Sequence, residues 1–201
     1  MAKRKLKGKD ILLLLLYLPG INKKKNEPIM GKTRITKMIF LFEKELYKNF
    51  DNISSDSLPD FFAYNYGPFS KDLLDDLRFF KMIGFITEKY TNQSLNQAEA
   101  EEYKYDIDDD MGFSDEVNLY DIGVPNQSEY FLTNKGVKYV EEKILNEFTS
   151  EQKNILVKFK KKINSLSLDS ILSYVYNKYP DSAENSIIKD KYMKQKEESI
   201  K

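Results

Sequence analysis

The 201-residue chain contains neither cysteine nor histidine. Without thiols there is no disulfide framework, and without imidazole as well there is no ordinary zinc site. A serine or threonine nucleophile would lack its usual histidine base, leaving only a lysine or a carboxylate for that task. Long apolar runs are missing too. The run from Ile11 to Leu18 follows a basic stretch, as a secretory signal would. It leads into Pro19-Gly20 and Lys23-Lys24-Lys25 without a small-residue cleavage site. It is too short to span a bilayer, so it is expected to be a core helix of a cytoplasmic chain with no membrane contact.

Net charge is absent as well, with 32 Lys/Arg against 32 Asp/Glu, but the balance hides a segregation. Residues 1–48 hold 13 basic against 4 acidic residues, a net of +9, and residues 94–129 hold 1 against 11, a net of −10. The chain is a dipole in sequence, which keeps polyanion binding open despite the neutral total. With 41% hydrophobic and 13% aromatic residues, it can bury one sizeable core.

The apolar spacing predicts mostly helices. After the first helix, led by Asp10, and a basic loop over 22–31, Ile35, Met38, Ile39, Phe42, Leu46 and Phe50 recur at three- and four-residue steps. That is one stripe of a helix over 33–50. An aromatic extended segment, Phe61 to Phe69, closes in a Gly67-Pro68 turn. Ser70 caps a helix to Ile83, with Gly84 as its left-handed C-terminal residue. Strand 85–90 alternates, a long acidic insertion follows over 91–128, and strand 129–132 returns to a helix capped by Thr133 and running to Phe148. Helices over 150–166 and 168–179 precede a charged, mobile or amphipathic tail. The fold class expected is mainly α with a small antiparallel β wing (α+β), a winged helix-turn-helix with a C-terminal helical extension. The expected division is a winged-helix domain over 1–148, C-terminal helices over 149–180 and a tail over 181–201.

Two sets of motifs support that fold. Gly84-Phe85-Ile86-Thr87-Glu88 with Tyr130-Phe131-Leu132-Thr133-Asn134-Lys135-Gly136 resembles the wing and following helix cap of PadR-like and MarR-like winged-helix regulators. Ile35-Thr36-Lys37-Met38-Ile39-Phe40-Leu41 with Ala63-Tyr64-Asn65-Tyr66-Gly67-Pro68-Phe69-Ser70 is similar to the SocA-like antitoxin domain, also called Panacea, and its YwgA-like relatives. The first resemblance implies transcription regulation through operator DNA; the second implies action largely through protein partners. The chain departs from both in its long wing insertion and in Asp72, Asp75 and Asp76 on the helix expected to enter a groove.

For double-stranded DNA, the expected contacts are Lys23, Lys24, Lys25, Lys32, Arg34 and Lys37 from the basic third, and Ser70, Lys71, Arg78 and Lys81 from the groove helix. Lys3, Arg4, Lys5, Lys7 and Lys9 would form a basic arm. For a protein partner, the expected contacts are Tyr103, Tyr105, Asp108, Asp109 and Asp110 in the acidic insertion, whose charge suits a basic surface. The aromatic strip Phe61, Phe62, Tyr64, Tyr66 and Phe69 is either core or a partner contact. The C-terminal helices offer a surface for homodimerisation.

Enzymatic patterns fail on inspection. Asp106, Asp108 and Asp110 match the start of a calcium loop, but Met111 stands where glycine is needed and Val117 where glutamate is needed. Pro59-Asp60 with Glu102-Tyr103-Lys104 only loosely imitates a metal-dependent nuclease. Gly31-Lys32-Thr33 lacks the upstream glycine and strand of a phosphate loop. The expectation is a non-catalytic winged-helix regulator with no cofactor and no metal that binds double-stranded DNA through its basic N-terminal region and the 70–83 helix; the alternative is an antitoxin-like or adaptor protein that binds a protein partner.

Overall fold

The structure, a computed structural model, describes residues 6–94 and 126–193. It is mainly helical with a small antiparallel sheet, an α+β arrangement. Helix α1, Gly8–Tyr17, starts two residues before Asp10, whose carboxylate accepts the Lys7 amide at 2.9 Å. Every residue from Ile11 to Tyr17 is buried, as expected of a helix that is apolar all round.

Strand β1, Ile29–Met30, was not foreseen: two residues carry no alternation to read. Helix α2, Lys32–Leu41, holds Ile35, Met38 and Ile39 inward. The expected single helix to Phe50 instead widens into a π turn at Phe42–Leu46 and tightens into a 3-10 turn at Tyr47–Asn49. The apolar steps 38, 42, 46 and 50 outrun a 3.6-residue turn, and the wider turn keeps Phe42 and Phe50 in the core at 0% and 1% exposure. The helix after Thr133 repeats this pattern: α4, Asn134–Tyr139, passes into a π turn at Val140–Ile144 and a 3-10 turn at Leu145–Glu147.

The aromatic segment folds as a hairpin of β2, Phe62–Tyr64, and β3, Gly67–Phe69. Its turn lies at Asn65-Tyr66, ahead of the expected Gly-Pro pair. Helix α3, Lys71–Met82, follows, capped as foreseen by Ser70, whose hydroxyl accepts the Leu73 amide. Gly84 takes φ +73 with open space around it, so the chain reverses there without a Cβ penalty. Strands β4, Ile86–Ser94, and β5, Asn126–Leu132, are longer than the sequence suggests and pair antiparallel from Ile86↔Leu132 outward. Strand β1 pairs with the other edge of β5, giving the order β1-β5-β4.

Helix α4 is stitched to the end of α3: the Thr133 hydroxyl donates to the Gly84 carbonyl at 2.6 Å and Lys135 Nζ to the Ile83 carbonyl at 2.9 Å. A Cβ at Gly136 would stand 2.2 Å from the Phe85 carbonyl oxygen, so only glycine permits this approach. Helices α5, Ser150–Ser165, and α6, Leu168–Lys178, then pack into the same apolar core as α1 and α2, through Leu156, Ile163, Ile171, Leu172 and Tyr176. The tail expected from 181 onward is ordered structure as far as 193. A 3-10 turn at Pro180–Ala183 and helix α7, Lys189–Met193, bury Ala183 and Tyr192. The Tyr192 ring lies 5.4 Å from that of Tyr176. No helix among the described residues is long and apolar enough to cross a membrane.

Candidate functional site

The sequence-expected cations divide sharply. Arg34 and Lys37 were expected at a DNA surface but are buried, at 8% and 1% exposure. One guanidinium nitrogen of Arg34 donates to the Ile163 and Leu166 carbonyls at 2.7 and 2.8 Å, capping the end of α5. Lys37 Nζ donates to the Pro68 carbonyl at 3.2 Å, tying α2 to the hairpin. Ser70 is fully buried and occupied as a cap. These three residues hold the fold together and are unavailable to a groove. Lys32, the first residue of α2, is half-buried.

On α3 the inward stripe is Leu73, Leu74, Leu77 and Phe80. The outward face carries Lys71, Asp72, Asp75, Arg78, Phe79, Lys81 and Met82, all exposed. Two of its three cations are matched locally, and Lys71 is not. Arg78 lies 3.6 Å from Asp75. Lys81 pairs with Glu88 on β4, which also accepts the Tyr130 hydroxyl at 2.7 Å. Burial alone would raise the Glu88 carboxyl, but Lys81 and Tyr130 outweigh it and hold Glu88 below the ordinary carboxylate value. At the neighbouring turn Lys9 reaches Asp76 at 3.8 Å and covers the Phe79 ring at 5.2 Å. Between the paired charges this face is apolar: Met82 is 78% exposed and Phe79 41%.

A second surface forms at the turn after α1. Lys23, Lys24 and Lys25 are exposed there, with Lys23 at φ +60. Lys25 is engaged, 3.4 Å from Glu141 and 5.3 Å from the centre of the Tyr17 ring. The turn is fastened from both sides. The Glu27 carboxylate accepts the amides of Gly20, Ile21 and Asn22 at 3.2, 2.8 and 2.7 Å. From α5, Lys160 Nζ donates to the carbonyls of Leu16, Leu18 and Glu27 at 3.1, 2.7 and 2.6 Å. Lys160 is fully buried, so its three donors meet three carbonyls in place of water. Burial pushes its ammonium down to about 7, with Glu27 acting against that shift. Asn26 completes the attachment, exchanging two 2.8 Å hydrogen bonds with the backbone of Leu132 on β5.

In the aromatic strip Tyr66 is core, whereas Phe62 is 49% exposed and packs on Tyr64 and Phe69 with ring centres 5.9 and 5.4 Å apart. A shallow open groove of about 890 Å³ follows α6 past Ser173, Asn177 and Tyr192. Its carboxylate, Asp169, is already taken by the Tyr192 hydroxyl at 2.5 Å and by Lys191. Among the described residues no group of acidic side chains is arranged to hold a metal ion. The expected arm residues Lys3, Arg4 and Lys5 lie outside the described residues, as do the expected protein contacts Tyr103, Tyr105, Asp108, Asp109 and Asp110.

The spacing and charge of the sequence place the DNA surface on the basic N-terminal region, with Lys23, Lys24 and Lys25 in the turn after α1, and on α2 and α3. They miss that Arg34, Lys37 and Lys160 turn inward, because their carbonyl acceptors come from distant segments that spacing cannot reveal. The exposed pair Phe79 and Met82 is not among the sequence-expected contacts, although both lie off the inward stripe of Leu73, Leu74, Leu77 and Phe80. No protein-family model, no curated protein and no solved structure matches the chain, so its family resemblances rest on the quoted motifs.

Proposed function

We propose that the chain is a non-catalytic winged-helix module that acts by binding a protein partner through the outward face of α3, in the manner of an antitoxin or adaptor. The element order supports the winged-helix reading: α1, β1, α2, α3, then β4 and β5, with β5 central in the sheet. The observation that carries the partner assignment is the exposure of Met82 and Phe79 between paired charges. A phosphate backbone gains nothing from an exposed methionine, and Asp72 and Asp75 oppose it. A protein partner gains apolar burial at the centre and charge matching at the rim.

The partner chemistry that fits is an apolar side chain or shallow apolar pocket, ringed by groups that complement Asp75, Arg78 and Lys81. Replacing Phe79 and Met82 together with aspartate tests the reading, since both side chains are on the surface and the fold should survive. Affinity capture from native-host extract is expected to recover a discrete protein with the wild type and not with this variant. Equal recovery by both would overturn the assignment of the face. Operator binding through the same face, the competing reading, would appear as salt-sensitive affinity for duplex DNA that falls when Lys71 and Arg78 become alanine.

A further inference from the structure

Helix α5 turns a second face to solvent, and it is chemically unlike that of α3. Its exposed residues are Glu151, Asn154, Lys158, Lys161, Lys162 and Ser165. None of the exposed large apolar side chains belongs to it. Lys158, Lys161 and Lys162 stand at i, i+3 and i+4, one ridge of the helix. Lys162 lies 5.6 Å over the Tyr174 ring. Lys158 and Lys161 form no ion pair among the described residues, and neither do Lys23 and Lys24.

The turn and the helix are held together. Lys160, beside Lys161 in the chain, binds the carbonyls at both ends of the turn. Asn164, one helical turn on, donates to the Glu27 carboxylate at 3.1 Å and to the Pro28 carbonyl at 3.3 Å. The fold thus fixes a lysine-tipped turn beside a lysine-bearing helix, and among the described residues no carboxylate pairs with Lys23, Lys24, Lys158 or Lys161, in contrast to Lys25 with Glu141. Like charges gathered in this way repel each other, and an anionic partner relieves the repulsion.

We propose that Lys23, Lys24, Lys158 and Lys161 form one basic surface that takes the phosphate backbone of double-stranded DNA. The α5 face exposes no large apolar side chain, and on the turn only Ile21 does so, at 49%; protein contacts are centred on clustered aromatic or aliphatic side chains, so the lysines of α5 suit a phosphate backbone better. Asn154, exposed on the same helix, adds a neutral donor of the kind that binds phosphate oxygens. Contacts of this type carry no base readout, so binding is indifferent to sequence and fixes position only. The inference is independent of the partner reading for α3, and the two faces are separate targets for substitution.

The test is fluorescence anisotropy with a random-sequence duplex at 50 and 200 mM salt. If about four phosphates are neutralised, affinity falls about a hundredfold between those conditions. Replacing all four lysines with alanine is expected to weaken binding at least tenfold at the lower salt and to flatten the salt dependence. Replacing Lys71 and Arg78 with alanine is expected to change affinity less than twofold. No wild-type binding at 50 mM salt would overturn the proposal. So would a greater loss from the α3 substitutions, or displacement of the duplex by poly-glutamate at equal charge concentration, which would assign the surface to an acidic polypeptide. None of these outcomes bears on protein capture by Phe79 and Met82, so failure here and failure of the α3 reading are told apart.

Discussion

The solvent faces of α3 and α5 carry similar numbers of cations and treat them differently. On α3, Arg78 is matched by Asp75 and Lys81 by Glu88, Lys71 at the helix start is unmatched, and Phe79 and Met82 stand exposed between the paired charges. On α5, Lys158 and Lys161 are unmatched among the described residues, and the uncompensated quantity is charge. Position in the chain alone would assign DNA to α3, the helix before the wing. Local pairing assigns it elsewhere, because a cation already neutralised by its own chain has little left to offer a phosphate.

The comparison can be broken most forcefully at Lys160. Replacing it with methionine leaves the buried carbonyls of Leu16, Leu18 and Glu27 without this donor. A loss of about 3 to 5 kcal/mol is expected in urea unfolding, because each buried carbonyl left without its donor costs about 1 to 3 kcal/mol. In the folded fraction the basic turn should detach from α5 while the α3 face persists. A loss below about 1 kcal/mol would show that the turn is held by other means. The corresponding break on the other side is Leu77→Ala, which empties the inward face of α3. Leu77 is 4% exposed, so about 2 to 5 kcal/mol should be lost in the same measurement.

Glu88 sharpens the contrast. Its folded carboxyl lies below its ordinary value near 4.5. It therefore contributes stability that is fully present above the unfolded value and is lost as pH falls through the folded one. Glu88→Gln should cost about 1 kcal/mol at pH 7, and the difference from wild type should vanish once pH falls below the lowered folded value. A difference that persisted in acid would mean that neutral hydrogen bonds, not charge, hold the wing to α3. The same substitution releases Lys81, so the variant should bind DNA through α3 more strongly than wild type does. The smallest effect is expected from Lys71→Ala, within about 0.5 kcal/mol of wild type in stability because Lys71 is exposed and unpaired among the described residues.

Much of this arrangement is written in local signals. Ser70 and Thr133 cap helices where their side chains can accept an amide three residues on, and Gly84 ends α3 in the one conformation that favours glycine. The burial of Arg34 and Lys37 is not written locally. Their neighbours Ile35 and Met38 mark the inward stripe, but the acceptors that make an inward cation affordable belong to α5 and the hairpin. Strand β1 is invisible for a similar reason: two residues become a strand only because Tyr130 and Glu129 lie opposite. The candidate surfaces were half legible. Their residues could be listed from sequence, but their sorting into paired and unpaired depends on contacts such as Glu88 with Lys81 and Lys160 with Glu27.

The most direct measurement places a photo-crosslinking amino acid at position 82 in one variant and at position 161 in another, each expressed in the native host and irradiated there. The account expects a discrete protein adduct from position 82 and a nuclease-sensitive adduct from position 161. Nucleic acid captured at position 82, or the same protein captured at both positions, would contradict it.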